Sequence, residues 1–351
     1  MATATTYQLN EKRRREEFRP VLFTSILTLH ALAIGAIVWH ATAWFWPSWT
    51  VIGIAVGLYV FTGLFGIAMG YHRYFTHQGY ECGPVLKAVM LIAGAVSAQG
   101  EIFGWLRTHV RHHANADKPG DAHSPYQYGG TLWLTLKGIM WAHAGWLFYD
   151  YELPERTRED KFDRDPLMQL QRKHYDKLLI AGLVLPAIVC GIVGLASGGL
   201  HGLWVEALDG FLAQVVRLVL LLNVTWCINS VCHLWGEQLT ISVMKPNAAE
   251  PKVYYPADGS RNAFGLAAFS FGEAKHTLHH RFPYIAYMAW NRWGVDPAKW
   301  TLIVFEKFGW VWDVKKPPEF EVEPLEIRLP EDSFISAVRE LKEERKLSLA
   351  A

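Results

Sequence analysis

VLFTSILTLHALAIGAIVWHATAWFWPSWTVIGIAVGLYVFTGLFGIAMGY, residues 21–71, contains no Asp, Glu, Lys or Arg. A bilayer core takes about 20 helical residues, so this run is too long for one crossing. It is interrupted at Trp44-Phe45-Trp46-Pro47-Ser48-Trp49, and proline among clustered aromatics suits a turn at a membrane interface. The pattern predicts two transmembrane helices, about 21–43 and 51–70. A third uncharged run covers 178–200, and a fourth covers 211–232 with one charge, Arg217, near its start.

Composition agrees. Hydrophobic residues make up 51% of the 351 residues and charged ones 19%, below the quarter usual in soluble proteins. There are 16 Trp. These values exclude a disordered chain, a collagen-like fibre and an ordinary cytosolic enzyme. The net charge of +1 provides no field for nucleic acid. Cys82, Cys190, Cys227 and Cys232 form no CxxC and read as small buried hydrophobes in a reducing environment.

Positive charge sets the orientation. Five Lys+Arg precede the first span, 13 lie between spans two and three, and 15 follow the fourth, while loops 44–50 and 201–210 have none. Both termini and the middle segment are therefore expected in the cytoplasm. Arg217 is expected near the outer end of its span, snorkelling outward or paired with Asp209 or Glu206. Residues 1–20 read as a cytosolic N-terminal segment without a cleavable signal peptide, and 21–316 as the membrane domain. Residues 317–351 read as a soluble tail, where Phe334, Val338 and Leu341 recur at the spacing of a short amphipathic helix. Two shorter apolar stretches, 84–100 and 131–148, each carry an internal lysine (Lys87, Lys137). They are expected to be interfacial or buried helices lying along the membrane.

Nine of the 15 histidines fall into four clusters: His72 with His77; His109, His112 and His113; His233, preceded by Asn229; and His276, His279 and His280. All lie at or beyond the cytoplasmic ends of the expected spans, although charge alone placed those ends. HxxHH puts three imidazoles within about 100° on one helix face. Nine nitrogen donors exceed the four of one zinc site and suit two metals, with imidazole accepting Zn, Cu, Fe or Ni. His30, His40, His143, His174 and His201 read as satisfied core or surface residues. His123, two residues after Asp121, reads either as an orienting partner of the ligands or as part of a polar turn.

Seven segments carry a resemblance in order and spacing: GYHRYFTHQGYE (70–81), RTHVRHHANAD (107–117), DAHSP (121–125), AHAGWLF (142–148), DPLMQLQRKHY (165–175), NVTWCINSVCHLWG (223–236) and FGEAKHTLHHRFPY (271–284). Together they resemble the membrane fatty acyl desaturases of the stearoyl-CoA (delta-9) type, bacterial branch. The resemblance implies an all-α integral membrane protein with four transmembrane helices and a cytosolic helical cap carrying a histidine-rich di-iron site. It implies two iron ions (Fe2+) held by His72, His77, His109, His112, His113, His233, His276, His279 and His280, with Asn229 reaching one of them through a water. It also implies a kinked acyl tunnel bordered by Gln99, Trp105, Thr225 and Trp226. The substrate would be a fatty acyl chain, on acyl-CoA first of all, with O2 as co-substrate. No His-Pro-Gly-Gly haem motif occurs. Electrons are therefore expected from a separate donor protein, ferredoxin-, rubredoxin- or cytochrome b5-like, with an NAD(P)H reductase. The chain departs from the family in reading Asp-Ala-His where Asp-Pro-His is usual, and in placing Lys275 and Arg281 beside the last histidines. Both bear on how the acyl carrier is held.

A histidine-box hydroxylase of alkanes, sterols or carotenoids shares this metal logic and differs in product. A membrane metal transporter would place its ligands along a mid-bilayer pathway, whereas these cluster at the cytoplasmic ends. The topology is checked by fusing a periplasm-active reporter after Leu200, which should give signal, and after Ala351, which should not. Signal from the second fusion overturns it.

Overall fold

The computed structural model describes residues 18–43, 46–118, 120–128, 132–149, 162, 164–243, 252–254, 258–290, 294–317 and 324–325. The first helix, α1 (Pro20–Ala43), is apolar throughout, and it turns Ile34, Val38 and Trp39 outward. Its hydroxyl side chains satisfy themselves locally: Thr24, Ser25 and Thr42 each donate to a carbonyl four residues back. That suits a medium without water. The second helix, α2 (Trp49–Val60), starts at Ser48, whose Oγ accepts from the Val51 amide and donates to Glu206 at 2.6 Å. It runs on without a break as a π-wound helix, Phe61–Thr76. The expected span 51–70 is thus the middle of a longer rod that passes His72.

Among the described residues three helices are long and apolar enough to cross a membrane: Pro20–Ala43, Trp49–Thr76 and Pro166–Ser230. The 65-residue third one, α6, replaces the two runs expected at 178–200 and 211–232. It is not one straight rod. Gly198 and Gly199 leave helical geometry, and Gly199 has φ 61° with ψ −152°, a conformation open essentially to glycine alone. The chain reverses there. Gly194 then lies against Gly202, and Gly210 against Ala187 and Cys190. The turn is two residues long, and 201–210, expected as a loop, is helical. Small residues at matching heights let the two arms touch backbone to backbone, which the hydropathy pattern does not register.

Arg217 departs furthest from expectation. It neither snorkels nor pairs with Asp209 or Glu206. It is 4% exposed, while Asp209 faces His40 (3.7 Å) and Glu206 accepts a hydrogen bond from the Ser48 hydroxyl. It sits within the second arm of α6, 18 residues beyond Gly199.

The remaining helices are α3 (Pro84–Val96), α4 (Ile102–Asn115), α5 (Leu132–His143), α7 (His276–Arg281) and α8 (Pro297–Lys307). α3 packs between the π-wound segment and α6. The architecture is mostly helical rather than purely α. Strand β1 (Glu81–Cys82) pairs antiparallel with β4 (Val311–Trp312), and β2 (Thr240–Val243) lies between β3 (Lys252–Tyr254) and β5 (Pro324–Leu325). These short pairs tie distant loops of the cap together, and they are too short for a period-2 pattern to show. The main core gathers around Tyr71, Tyr74, Phe75, Met90, Leu106 and Phe271. All four cysteines are free. The charged N-terminal segment up to residue 17 and the amphipathic helix expected at Phe334, Val338 and Leu341 lie outside the described residues.

A Cβ on Gly194 would overlap the Gly202 carbonyl, whereas one on Gly198 meets nothing within 4 Å. Gly194→Leu should therefore lower the thermal midpoint of the purified protein, at a cost on the order of 1–3 kcal/mol. Gly198→Ala should leave the midpoint almost unchanged. Equal midpoints for the two variants would contradict the close approach of the arms.

Candidate metal centre

His72 and His77 are five residues apart. On an α-helix that spacing separates side chains by about 140°. The π winding of Phe61–Thr76 has about 4.4 residues per turn and closes the angle to about 50°. His77 N–H donates to the His72 carbonyl, the i→i+5 bond that marks this winding. Both imidazoles therefore face the same side. α4 is started by Glu101, whose carboxylate accepts from the amides of Phe103 (2.9 Å) and Gly104 (2.7 Å). It carries His109, His112 and His113 on one face. α7 is a six-residue helix holding His276, His279 and His280, and His233 follows the end of α6.

These elements bring all nine clustered histidines together in two groups. His72, His77, His109, His113 and His279 form one; His112, His233, His276 and His280 form the other. Within the first, Nε2 atoms approach at 3.0 Å (His72–His279), 3.0 Å (His77–His109), 3.1 Å (His109–His113) and 2.9 Å (His113–His279). Within the second they approach at 3.1 Å (His233–His276), 2.9 Å (His276–His280) and 3.3 Å (His112–His280). The groups adjoin, with the rings of His113 and His280 4.6 Å apart between centroids.

The outward nitrogens fix the tautomers. Nδ1 of His112 bonds Asp121 (3.0 Å), His233 bonds Asp117 (2.8 Å) and His280 bonds Asp258 (2.8 Å), while His72 Nδ1 bonds Glu273. A ring whose Nδ1–H is given to a carboxylate points a bare lone pair inward from Nε2. Burial, and after it the neighbouring imidazoles, hold His77, His109, His113, His276, His279 and His280 well below the ordinary imidazole pKa. These six rings are therefore neutral and able to ligate, whereas at His233 burial is outweighed by Asp117, which raises its pKa.

The donor set and its spacing fit a metal. With a metal–imidazole bond of about 2.1 Å, ligands at right angles lie about 3.0 Å apart and tetrahedral ones about 3.4 Å. The Nε2 edges, 2.9–3.1 Å in the first group and 2.9–3.3 Å in the second, lie within the span that one ion's imidazole ligands can take in either group. The first group's five nitrogens exceed a tetrahedral shell. First-row ions with imidazole affinity and higher coordination, iron among them, fit better than structural zinc.

Asn229 lies in the last turn of α6, half-buried, one turn before His233. Gln99 and Thr225 meet, Nε2 to Oγ1, at 2.7 Å. Trp105 stacks on His109 at 4.8 Å with 19° between planes, and its edge faces His72. Trp226 is buried between His30 (6.0 Å, stacked) and His143 (5.6 Å, edge-on). These two histidines are more than filler. Asn223 donates to His30 Nε2 at 3.0 Å and bonds His143 Nε2 at 3.1 Å, and His143 Nδ1 reaches Ser230 at 3.0 Å.

Sequence reasoning singled out Asp121 but missed the other carboxylates. Asp117 and Asp258 gave no spacing signal, since Asp258 is distant in sequence from the His280 it holds. Glu273 could have been suspected from its place three residues before His276. It bonds His72 together with Arg73, which in turn bonds Asp296 at 2.9 Å. Arg73 is 1% exposed and Asp296 0%. A charged residue inside HRYFTH and a lone Asp before α8 become one buried ion network.

Residues 46–293 match the sequence profile of the fatty acid desaturase family. The chain is 32% identical, over 81% of its length and 83% of the relative's, to a hex-5-enoyl-[acyl-carrier protein] acetylenase of Moorena producens (strain JHB). It is 28% identical to the chloroplastic palmitoyl-monogalactosyldiacylglycerol delta-7 desaturase of Arabidopsis thaliana, over 84% of this chain and 68% of the other. It is 29% identical to an sn-1 stearoyl-lipid 9-desaturase of Synechocystis sp. (strain ATCC 27184 / PCC 6803 / Kazusa), over 78% and 74%.

Losing an orienting carboxylate typically weakens a metal site about 10–100-fold. Asp117→Asn and Asp258→Asn should each lower the affinity for added Fe2+ by that order in a chelator competition. Wild-type affinity in both variants would remove the carboxylates from the site.

Proposed function

We propose, because the chain belongs to the fatty acid desaturase family, that it inserts a cis double bond into a saturated acyl chain in unsaturated fatty acid biosynthesis. The family makes it an oxidoreductase of lipid metabolism. The finer reading is a delta-9 desaturase acting on acyl-CoA. An acyl chain, O2, two electrons and two protons give the alkene and two waters. The adjoining groups of five and four imidazole nitrogens carry this reading. Two iron ions bound there would supply the oxidising power that an unactivated C–H bond demands.

The chain's own residues supply position. Asp117, Asp121, Asp258 and Glu273 hold four of the proposed ligands in one tautomer. Asn229 is proposed to reach one metal through water. Trp105, flat against His109, is proposed to wall the acyl chain beside the first group. The Gln99–Thr225 bond and Trp226 are proposed to form the bend of the tunnel. A bent chain exposes two neighbouring carbons, and an error of about 1 Å there can lower the rate on the order of a hundredfold. Trp226 is buried, and Gln99, Trp105, Thr225 and Asn229 are half-buried.

Each arm of α6, 166–197 and 200–230, exceeds the roughly 20 residues of a span. With α1 and the Trp49–Thr76 helix we read four crossings, with both termini and the metal centre cytoplasmic. Electrons are assigned to a separate ferredoxin-, rubredoxin- or cytochrome b5-like protein with its reductase. Membrane lipid is the surrounding partner, and nucleic acid is not.

The test is gas chromatography of fatty acids from a desaturase-deficient host expressing the chain, with purified protein then offered acyl-CoA or acyl-lipid. The expected product is a cis delta-9 monoene from acyl-CoA, with about two irons per chain. His112→Ala, His233→Ala and His279→Ala should abolish it, and His174→Ala should not. A hydroxylated product would favour the hydroxylase reading, and turnover of acyl-lipid alone would replace the carrier.

A further inference from the structure

Arg217 is a buried guanidinium inside a membrane-length helix. Among the described residues no carboxylate bonds it. Its contacts are Gln214 Oε1 (3.3 Å), Thr62 Oγ1 (3.5 Å) and the Val96 carbonyl (3.4 Å). A charge at such a place is costly and is kept for a reason. The last of these contacts supplies it.

Val96 ends α3. A helix leaves its last four carbonyls without partners, and here the chain does not return to water. Ala93 O takes the Ser97 amide at 3.1 Å, Gly94 O takes the Ser97 hydroxyl at 2.6 Å, and Ala95 O takes the Ala98 amide at 3.3 Å. Val96 O takes Arg217. All four carbonyls are met, and the partial negative end of the helix faces a fixed cation. The missing counter-ion of Arg217 is the end of α3.

The turn that follows is strained at Ala98 and, beyond the Ala98–Ala95 backbone bond, is braced by side chains. Ala98 has φ 59° and Gly100 φ 93°. Tyr175 Oη accepts from the Gly100 amide (3.0 Å), and Tyr71 Oη donates to its carbonyl (3.1 Å). Gln171 donates to Tyr71 Oη (2.6 Å) and accepts from the Ile102 amide (3.3 Å). Between Ala98 and Gly100 stands Gln99, bonded to Thr225. Arg217 and Thr225 are two turns apart on the same helix, about 12 Å, so one arm of α6 grips this turn at both ends.

We propose that Arg217 is a positioning residue for regioselectivity. By holding the C-terminal end of α3 it sets the Ser97–Gly100 turn, and so the place of Gln99 against Thr225 at the bend of the acyl tunnel. The proposal rests on the tunnel reading given under Proposed function. A loosened turn lets Gln99 move, and the reacting carbons shift along the chain. The metal ligands are untouched.

Arg217→Met removes the charge and keeps the bulk, Arg217→Lys keeps a charged donor, and Gln99→Leu removes the group presented. Three readouts are taken on the purified full chain: amide hydrogen exchange of peptides covering 93–104, iron per chain, and double-bond position in the product. Arg217→Met should speed exchange in that peptide, lower turnover about tenfold or more, and spread the product over more than one position as Gln99→Leu does, at wild-type iron content. Arg217→Lys should restore slow exchange and the single product. Wild-type exchange in Arg217→Met overturns the proposal whatever the activity. Unchanged double-bond position in Arg217→Met, where Gln99→Leu shifts it, also overturns it, and where Arg217→Met folds in low yield Arg217→Gln takes its place under the same criterion. Absence of any desaturated product from the wild type instead refutes the tunnel reading, and the exchange data then decide the structural half alone.

Discussion

Neutral imidazoles with their outer nitrogens bonded to carboxylates repel one another when their inner lone pairs meet near 3 Å. Here nine imidazoles converge, four of them with carboxylates behind them. A positive charge at each focus turns this repulsion into attraction, and much of the cap is explicable as the frame that aims the rings. Four carboxylates fix the tautomer of four of them. The network Asp296–Arg73–Glu273 fixes one of those carboxylates in turn. Burying so many charges is unfavourable unless each is paired, and Arg73 is paired twice over. Arg217, in the membrane-length part, is matched with a helix end instead. The two arginines differ in their partners: Arg73 has two carboxylates, and Arg217 has the Val96 carbonyl at the end of α3 with the neutral oxygens of Gln214 and Thr62.

The winding of Phe61–Thr76 serves the same frame. A π-helix is rare because its hydrogen bonds and axis packing are poorer, and here it extends for 16 residues. What it gains is the alignment of His72 with His77 and the burial of Tyr71, Tyr74 and Phe75 around them.

Most of the donor set was legible in the sequence because its chemistry is local. HxxHH on a helix needs only three or four residues of context, and both such clusters are where the spacing put them. The apolar runs were equally plain. The limits of legibility follow from what spans distance. The reversal at Gly198–Gly199 was placed too late because hydropathy averages over it, although the paired Gly194 and Gly202 were there to be seen. Arg217 was assigned to an outer end because a lone charge in a span usually lies there; its real partner, a carbonyl 121 residues away, has no sequence signature. Asp258 and Asp117 look like any loop acids until the fold carries them to His280 and His233. His30 and His143 seemed bland singly and are joined only through Asn223.

The two histidine groups are not built from separate pieces of chain. α4 gives His109 and His113 to one and His112 to the other, and α7 gives His279 to one and His276 and His280 to the other. Neither group is complete until residue 280 has left the ribosome, by which time every membrane-length helix has already been made. Any metal held there would have to wait for α7, because the two foci become whole together. A nascent chain stalled before α7 would expose six imidazoles with no finished shell for either ion.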